Sequence, residues 1–307
     1  MGVMSVLTRV GLRRPLPPLA PIGLDRLQRD WTYHPSAPDA VDRLRRLRCI
    51  GRWRPAPAYH PIMPITRPQA RWIVYFAYLP DGRPLNPAHH YTLTRLRAAD
   101  AGLLVICAAP RPGDVPRELR TMADALYWKG LSGFDFSAYA RGLHEIAAHS
   151  PGADVLVIND STYGPFAAID TLWSAMAWDL TGFTACGQVE NHVQSYAFHL
   201  KAVTPDRLAR LADILPAHRA YDDYEPVVMR QETRFAATAA QHMSVGALWY
   251  AAQNVTIDPS LFAALPLVEA GFPFLKRGLL TKHAGIYPEE AVRAMLARHD
   301  HRVDGIA

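Results

Sequence analysis

The sequence lacks any long hydrophobic run, and its few cysteines lie far apart. No segment approaches the roughly 18 consecutive apolar residues that a membrane-spanning helix needs, and the start of the chain is too interrupted for a signal-peptide core. The three cysteines, Cys49, Cys107 and Cys186, form no close pair of the kind found in zinc or redox motifs. These absences predict a globular, cytoplasmic protein whose cysteines are reduced and mostly structural.

The signatures of several common enzyme classes are also absent. The chain contains no Gly-x-Ser-x-Gly nucleophile elbow, no P-loop, and no Gly-x-Gly-x-x-Gly after its first long predicted strand. These absences argue against hydrolase, kinase and dehydrogenase functions. The chain has 307 residues and is 50% hydrophobic, so it is long enough to bury a sizeable core in one large α/β domain or two small ones.

The first 71 residues contain no lysine, yet they are strongly basic. They hold 13 Arg and 4 Asp, a net charge of +9, so the other 236 residues carry +5 minus +9, or −4. This segment also holds 11 of the 26 prolines, which restrict helices to short stretches. We therefore predict an Arg- and Pro-rich arm over residues 1–71, a main domain over 72–287, and a C-terminal helix and tail over 288–307.

Two short helices are predicted in this arm. One runs through Leu24, Leu27 and Trp31, and the other through Val41, Leu44 and Leu47. Basic amphipathic helices of this kind bind anionic membrane surfaces or partner proteins. The alternative is an arm that packs on its own domain. No nucleic-acid partner is expected, because the sparse Lys and Arg residues of the body do not alternate with aromatic residues.

From Arg71 onwards, predicted strands and helices alternate. Residues 72–79 and 103–109 are apolar runs typical of buried strands, and residues 86–101 between them predict a helix. This alternation predicts an α/β fold with a parallel, doubly wound sheet. Further along, the Ala-rich segment over residues 234–252 predicts another helix.

The central strand is the apolar run Val155 to Ile158, which ends abruptly in Asn159, Asp160 and Ser161. Open α/β sheets bind ligands at the carboxyl edge of their strands, so this edge is the first candidate site. A carboxylate there could hold Mg²⁺ or Mn²⁺, which in turn would bind a diphosphate. The alternative is an Asx turn in which Asp160 only caps the next segment.

Three other groups of polar residues are candidates. Asp135 stands at the start of a predicted helix, where it either caps the helix or contacts a nucleotide. Residues 188–196 are dense in polar side chains, and Glu190 or His192 could act there as a general base or have a structural role. Lys276 and Arg277 could neutralise a leaving phosphate, or they could be an exposed basic pair.

Four stretches together resemble the rhamnan synthesis protein F family of bacterial polysaccharide glycosyltransferases. They are Gly133-Phe-Asp-Phe with the following Ala-Tyr-Ala-Arg-Gly-Leu, Ile158-Asn-Asp-Ser-Thr-Tyr-Gly-Pro, His192-Val-Gln-Ser-Tyr, and Gly271-Phe-Pro-Phe-Leu-Lys-Arg-Gly-Leu-Leu. Family members commonly have Gly where Ser137 stands. The resemblance covers about residues 72–282.

The resemblance implies a GT-A-like α/β fold with a central, mostly parallel sheet. It also implies transfer of a sugar, rhamnose or a related one, from a nucleotide-sugar donor during cell-surface polysaccharide or lipopolysaccharide assembly. The acceptor would be a glycan or a lipid-linked glycan, and the arm could bring the enzyme to the inner face of the plasma membrane. The competing hypothesis is a non-catalytic component of an assembly complex that binds nucleotide sugar or glycan.

Within this hypothesis the polar residues receive specific roles. We predict that Asp160, Glu190 and His192 are catalytic, with Asp160 also the ligand of any Mg²⁺ or Mn²⁺. The predicted substrate-binding residues are Asp135, Asn159, Ser161, Tyr163, Gln194, Tyr196, Lys276 and Arg277.

Overall fold

The computed structural model describes residues 20–252 and 258–301. The strands are β1 (Gln28–Thr32), β2 (Arg54–Pro55), β3 (Tyr59–Met63), β4 (Arg71–Tyr78), β5 (Gly102–Ala108), β6 (Ala125–Lys129), β7 (Ala153–Asn159), β8 (Thr162–Tyr163), β9 (Leu180–Cys186), β10 (His192–Val193), β11 (Ala197–Val203), β12 (Arg219–Ala220), β13 (Val245–Ala251) and β14 (Leu275–Lys276).

The α-helices are α1 (Ala40–Arg48), α2 (Pro87–Arg97), α3 (Leu119–Met122), α4 (Phe134–His149), α5 (Ile169–Ser174), α6 (Pro205–Arg210), α7 (Tyr224–Pro226), α8 (Thr233–Ala239), α9 (Pro259–Phe262), α10 (Ala264–Glu269) and α11 (Glu289–Arg298). A π-helix covers Val227–Glu232, and 3-10 helices cover Leu24–Arg26, Pro112–Asp114 and Arg277–Leu280. None of the helices in the described residues is both long and apolar enough to span a bilayer.

One large sheet organises the described residues. Its strands follow the order β1-β13-β9-β11-β7-β4-β5-β6-β3, with β10 also paired to β9. Strands β4, β5, β6 and β7 are mutually parallel, as are β9 and β13, while β11 runs antiparallel between β7 and β9. Six strands therefore point the same way. This topology confirms the predicted α/β fold with a central, mostly parallel sheet.

Both faces of this sheet are buried at its central strands. Val74 and Val157 face α4 on one side, and Ile73 and Leu156 face α2 on the other. A strand that is covered on both faces has no polar side to alternate with, which is why β4 and β7 read as continuous apolar runs. Gly142 allows α4 to approach the sheet closely, because a Cβ at this position would lie 3.0 Å from side chains of β4 and β5.

The described part of the predicted arm belongs to the same sheet. Strand β1 pairs with β13 at one edge, and β3 pairs with β6 at the other. Trp31 is fully buried, and its ring stacks on Tyr250 with 4.4 Å between centroids. The predicted boundary at residue 71 therefore crosses a continuous sheet, and residues 20–71 pack on their own domain.

Two helix predictions have to be corrected. The helix predicted through Leu24, Leu27 and Trp31 is wrong, because Trp31 lies in β1, where pairing with β13 buries it. The helix predicted over 234–252 is wrong in its second half, since α8 ends at Ala239 and residues from Val245 form β13 between β9 and β1. Tertiary pairing overrides the local helix propensity of alanine in this segment.

Other predictions on local structure are confirmed. The helix through Val41, Leu44 and Leu47 is α1, which Asp39 caps by accepting a hydrogen bond from the Asp42 amide at 2.8 Å. All three cysteines are free and buried, as expected for reduced, structural thiols.

Candidate functional site

The parallel strands deliver polar side chains to one edge of the sheet. Strand β7 ends there at Asn159, β4 at Tyr78, β6 at Lys129 and β9 at Cys186. Asp160 is held against β4, because its amide donates to the Phe76 carbonyl at 3.0 Å. The carboxyl edge predicted from the Asn159, Asp160 and Ser161 sequence is therefore the place where the candidate site residues gather.

Asn159 joins three elements of this edge through its amide group. Its Nδ2 donates to Asp135 Oδ2 at 3.2 Å and to the Tyr139 hydroxyl at 2.9 Å. Its Oδ1 accepts from the Ser161 amide at 3.1 Å and from the Ser161 hydroxyl at 2.6 Å. Asn159 thus fixes the loop after β7 to the start of α4, and it holds the Ser161 side chain at the end of β7.

Asp160 is anchored on several sides. Its Oδ2 accepts from the Tyr78 amide at 2.8 Å and lies 3.3 Å from Nε2 of the buried His89. Arg277 donates through Nη1 to the Asp160 carbonyl at 3.0 Å. The residue therefore positions the loop between β4, α2 and the 3-10 helix that starts at Arg277.

The described residues form no complete ligand set for the predicted Mg²⁺ or Mn²⁺ ion. Such ions need several oxygen ligands, and within the described residues no group of three or more His, Cys, Asp or Glu residues could hold a metal ion. Asp160 already uses Oδ2 for the Tyr78 amide, and its carbonyl for the cation Arg277. An ion at Asp160 would therefore take its other ligands from the substrate diphosphate and from water.

The Gly271 to Leu280 stretch brings two cations to this edge. Strand β14 pairs antiparallel with β8, which aligns Lys276 with Thr162. The Lys276 ammonium lies 3.5 Å from the Ser161 hydroxyl and 3.7 Å from the centroid of the Tyr196 ring. The Arg277 guanidinium lies 5.8 Å from the Tyr163 ring centroid. Ser161, Tyr163, Tyr196, Lys276 and Arg277, predicted separately, are therefore neighbours.

Burial perturbs three ionisable groups around the edge. It lowers the pKa of Lys276 to about 8, although Asp258 and Glu232 act in the opposite direction. It also lowers the pKa of Lys129 to about 8, and it combines with the negative charge of Glu232 to raise the pKa of Asp135 to about 6. Groups whose pKa values are pushed toward neutrality are typical of functional sites.

Residues 190–196 of the predicted polar link are buried, and their side chains are engaged by neighbouring residues. Glu190 forms an ion pair with Arg46 of α1. His192 Nδ1 lies 2.8 Å from the Glu190 carbonyl, while its Nε2 lies 3.6 Å from Cys186 Sγ. Burial alone would lower the pKa of His192, but Cys186, Glu232 and the Glu190 carbonyl outweigh it and raise this pKa to about 10.

Gln194 and Tyr196 share one partner on β9. The Thr184 hydroxyl donates to Gln194 Oε1 at 2.6 Å, and it lies 2.8 Å from the Tyr196 hydroxyl. Gln194 is therefore bound inside the link, whereas Tyr196 presents its ring face to Lys276. Of these two predicted substrate-binding residues, Tyr196 is the one that contacts the cationic part of the site.

Glu232 was not identified from the sequence, yet it lies between both halves of the site. This carboxylate ends the π-helix and accepts from the Ser195 amide at 3.0 Å and from the Ser195 hydroxyl at 2.9 Å. It also acts electrostatically on Asp135, Lys276 and His192. No local motif marks Glu232, because its importance arises from contacts with residues distant in sequence.

Replacing Glu190 by Gln tests how much this carboxylate stabilises the fold. We expect the free energy of unfolding to fall by about 3 kcal/mol, since the variant leaves the largely buried Arg46 guanidinium without its charge partner. Chemical denaturation measures the change. The matched control Glu225→Gln breaks the more exposed pair with Arg45 and should cost less than about 1 kcal/mol. Equal losses in the two variants would contradict a structural role for the Arg46 pair.

Two solved structures are similar to part of this chain at low identity. One is a protein of Desulfovibrio desulfuricans G20 assigned by inference as a nucleotide-diphospho-sugar transferase, with 12% identity and a TM-score of 0.35, covering 75% of this chain and 98% of that one. The other is S. aureus TarS 1-349 in complex with UDP-GlcNAc, with 13% identity and a TM-score of 0.36, covering 75% of this chain and 71% of that one. Both scores are too low to establish a shared fold.

No curated protein matches the sequence. The rhamnan synthesis protein F family, in contrast, matches residues 103–306. This range is about two thirds of the chain, and it contains all four stretches on which the sequence resemblance was based. It begins later and ends later than the range of 72–282 inferred from those stretches. The chain belongs to the rhamnan synthesis protein F family.

Proposed function

We propose that this chain is a glycosyltransferase that moves a sugar from a nucleotide-sugar donor to a growing polysaccharide. The observation that carries the proposal is the position of Lys276, whose ammonium lies between the Ser161 hydroxyl and the Tyr196 ring at the carboxyl edge of the sheet. This edge is where open α/β folds bind ligands. Family membership over residues 103–306 supports the same function.

The donor diphosphate binds beside the Asn159, Asp160 and Ser161 loop. Lys276 and Arg277 supply positive charge for the phosphates, and the Ser161 hydroxyl supplies a hydrogen-bond donor. Asp160 positions this loop through the Tyr78 amide and the Arg277 contact. Asp135 and Asn159 fix the geometry of the donor side, and Tyr163 packs beneath Arg277. Lys276 and Arg277 thereby stabilise the leaving diphosphate, and a metal ion at Asp160 stays a prediction.

The acceptor side comprises Glu190, His192, Gln194 and Tyr196. In the transfer, the bond between the sugar C1 and the diphosphate oxygen breaks, and the acceptor hydroxyl oxygen bonds to C1. The acceptor proton passes to a base if the reaction inverts the configuration at C1. Glu190 and His192 are our sequence-based candidates, but a His192 ring with a pKa of about 10 is protonated at neutral pH and cannot accept a proton, which leaves Glu190 of the two. Glu232 is a third, because Ser195 binds its carboxylate and no arginine in the described part of the chain pairs with it.

The finer assignment follows the family. We propose that the donor carries rhamnose or a related sugar, that the acceptor is a glycan or lipid-linked glycan of lipopolysaccharide or another cell-surface polysaccharide, and that the transfer takes place on the cytoplasmic face of the membrane. The alternative is a non-catalytic component of an assembly complex that binds the same molecules without reacting them.

Product formation separates these two functions. Purified protein is incubated with a panel of nucleotide sugars and a lipid-linked acceptor, and the glycosylated product is detected by mass spectrometry. We expect one donor to yield product. If nucleotide sugars bind with no product from any donor and acceptor pair, the non-catalytic alternative is correct.

The pKa of Lys276 predicts how this activity depends on pH. With a pKa of about 8, the side chain is protonated below pH 8 and loses its charge as the pH rises through that value. We therefore expect kcat/KM for the donor to decline above about pH 8, because neutral Lys276 no longer attracts the diphosphate. In Lys276→Arg the guanidinium stays charged, so the decline should disappear. An unchanged decline in this variant would assign the titration to another group.

A further inference from the structure

Helix α1 turns its apolar face to solvent and its arginine face to the protein, the reverse of an ordinary amphipathic helix on a protein surface. Its apolar residues point away from the protein: Val41 is 60% exposed, Leu44 50% and Leu47 61%, and Ile50 just beyond its end is 58% exposed. A surface helix normally turns such a stripe toward the core. We call Val41, Leu44, Leu47 and Ile50 the apolar ridge.

Arginines hold the opposite face of α1 against the protein. Arg46 pairs with Glu190, donates through Nε to the Met229 carbonyl at 3.1 Å, and donates through Nη2 to the Thr233 hydroxyl at 3.1 Å. Arg45 bonds Glu225 and Asp42, each at 3.0 Å. These contacts fix the rotation of the helix, so the exposure of the apolar ridge is built into the fold.

The charges around the apolar ridge are positive. Arg43 and Arg48 are exposed on α1 itself, and Arg52 and Arg54 are exposed just after it. The nearby acids are already engaged, since Asp42 pairs with Arg45, Asp223 pairs with Arg52, and Asp39 caps the N-terminus of α1. An apolar stripe with a cationic rim is the pattern of a helix that lies in the interface of an anionic bilayer.

We propose that the apolar ridge, with Arg43 and Arg48, docks the protein on an anionic membrane surface. A second copy of the chain is less well suited than a membrane to cover the apolar ridge. A two-fold contact through one helix would bring the arginines of both copies together, and a single helix face is smaller than the surface that stable dimers bury.

The docking surface lies on the side of the molecule where the acceptor is proposed to bind. Arg46 connects α1 directly to Glu190, and Arg45 connects it to Glu225 beside the π-helix that carries Glu232. If the proposed function is correct, docking through α1 presents the acceptor side to a glycan carried by a membrane lipid, and this step of the inference rests on that function. The membrane contact itself is independent of catalysis.

The structure also changes which arm residues can reach a lipid surface. Trp31 is fully buried, and Leu24 and Leu27 are partly buried against the core. These three residues, expected from the sequence to form apolar contacts alongside Val41, Leu44 and Leu47, are therefore occupied within the protein. Ile50 joins the exposed set instead.

The test is co-sedimentation of the full chain with phosphatidylcholine vesicles that contain or lack phosphatidylglycerol. We expect binding only to the anionic vesicles. Leu44→Ser/Leu47→Ser should weaken it at least about tenfold, because the apolar contacts are lost. Arg43→Ser/Arg48→Ser should weaken it as well, whereas the matched control Arg117→Ser/Arg120→Ser, which changes the net charge equally at another exposed site, should not.

Several outcomes would overturn this inference. They are failure of the wild type to bind anionic vesicles, unchanged binding by Leu44→Ser/Leu47→Ser, and equal losses in the two arginine double variants. A lipid-free dimer that Leu44→Ser/Leu47→Ser converts to monomer would show that a second copy covers the apolar ridge. Melting temperatures and turnover with a soluble acceptor should be unchanged in these variants, so loss of docking is distinguishable from failure of the proposed function.

Discussion

Replacing Lys276 by Met is expected to lower kcat about 100-fold to 1000-fold with the best donor. The ammonium lies at the position proposed for the leaving diphosphate, and removing one preorganised group that stabilises developing negative charge has effects of this size. Methionine preserves much of the side-chain volume, so the packing against Tyr196 should survive. Steady-state kinetics on the purified variant measure the change.

Lys201→Met is the matched control for this prediction. Lys201 lies in β11 near the opposite edge of the sheet, where its ammonium donates to the Ala177 carbonyl at 3.0 Å. The same chemical change there should leave kcat within about twofold of the wild type, since surface substitutions away from a site have small effects. If Lys276→Met also retained wild-type activity, the proposed diphosphate site would be wrong.

Replacing Trp31 by Ala is expected to lower the free energy of unfolding by about 3–5 kcal/mol. The side chain is fully buried and stacks on Tyr250, so the variant loses its contacts and leaves a cavity. Urea denaturation at neutral pH measures the change. Leu44→Ala is the matched control, because Leu44 belongs to the same predicted arm but is 50% exposed, and it should cost less than about 0.5 kcal/mol.

A small loss in Trp31→Ala would mean that β1 is dispensable and that the arm is separable, as the boundary at residue 71 assumed. A large loss would confirm that pairing of β1 with β13 is part of the folding unit. Deleting residues 1–66 should then yield no folded protein, because both edge strands of the sheet, β1 and β3, are removed.

The centre of the fold could be predicted from the sequence because its signals are local. Strands β4, β5 and β7 are buried on both faces, so each is a continuous apolar run. The edge strand β1 carries no such signal, since only Trp31 of its five residues is buried. Strand β13 follows an Ala-rich helix, and its extended form depends on pairing with β9 and β1. These strands are determined by distant partners.

Some residues of the candidate site could likewise be predicted from the sequence, and others could not. Asn159, Ser161 and Lys276 belong to motifs whose residue types suggest ligand binding, and the structure brings them together. His89 and Glu232 stand in helices with ordinary patterns, and only the folded chain brings His89 to Asp160 and Glu232 to Ser195. The orientation of α1 could not be predicted either, because its sequence does not indicate whether its leucines or its arginines face the protein.

The most direct test of the account is a crystal structure of the protein with the nucleoside diphosphate of its best donor. We expect the terminal phosphate within hydrogen-bond distance of Lys276 Nζ and the Ser161 hydroxyl, at the edge formed by Asn159, Asp160 and Ser161. A nucleoside diphosphate bound at another place on the sheet, with its phosphates away from Lys276, would contradict the proposed site.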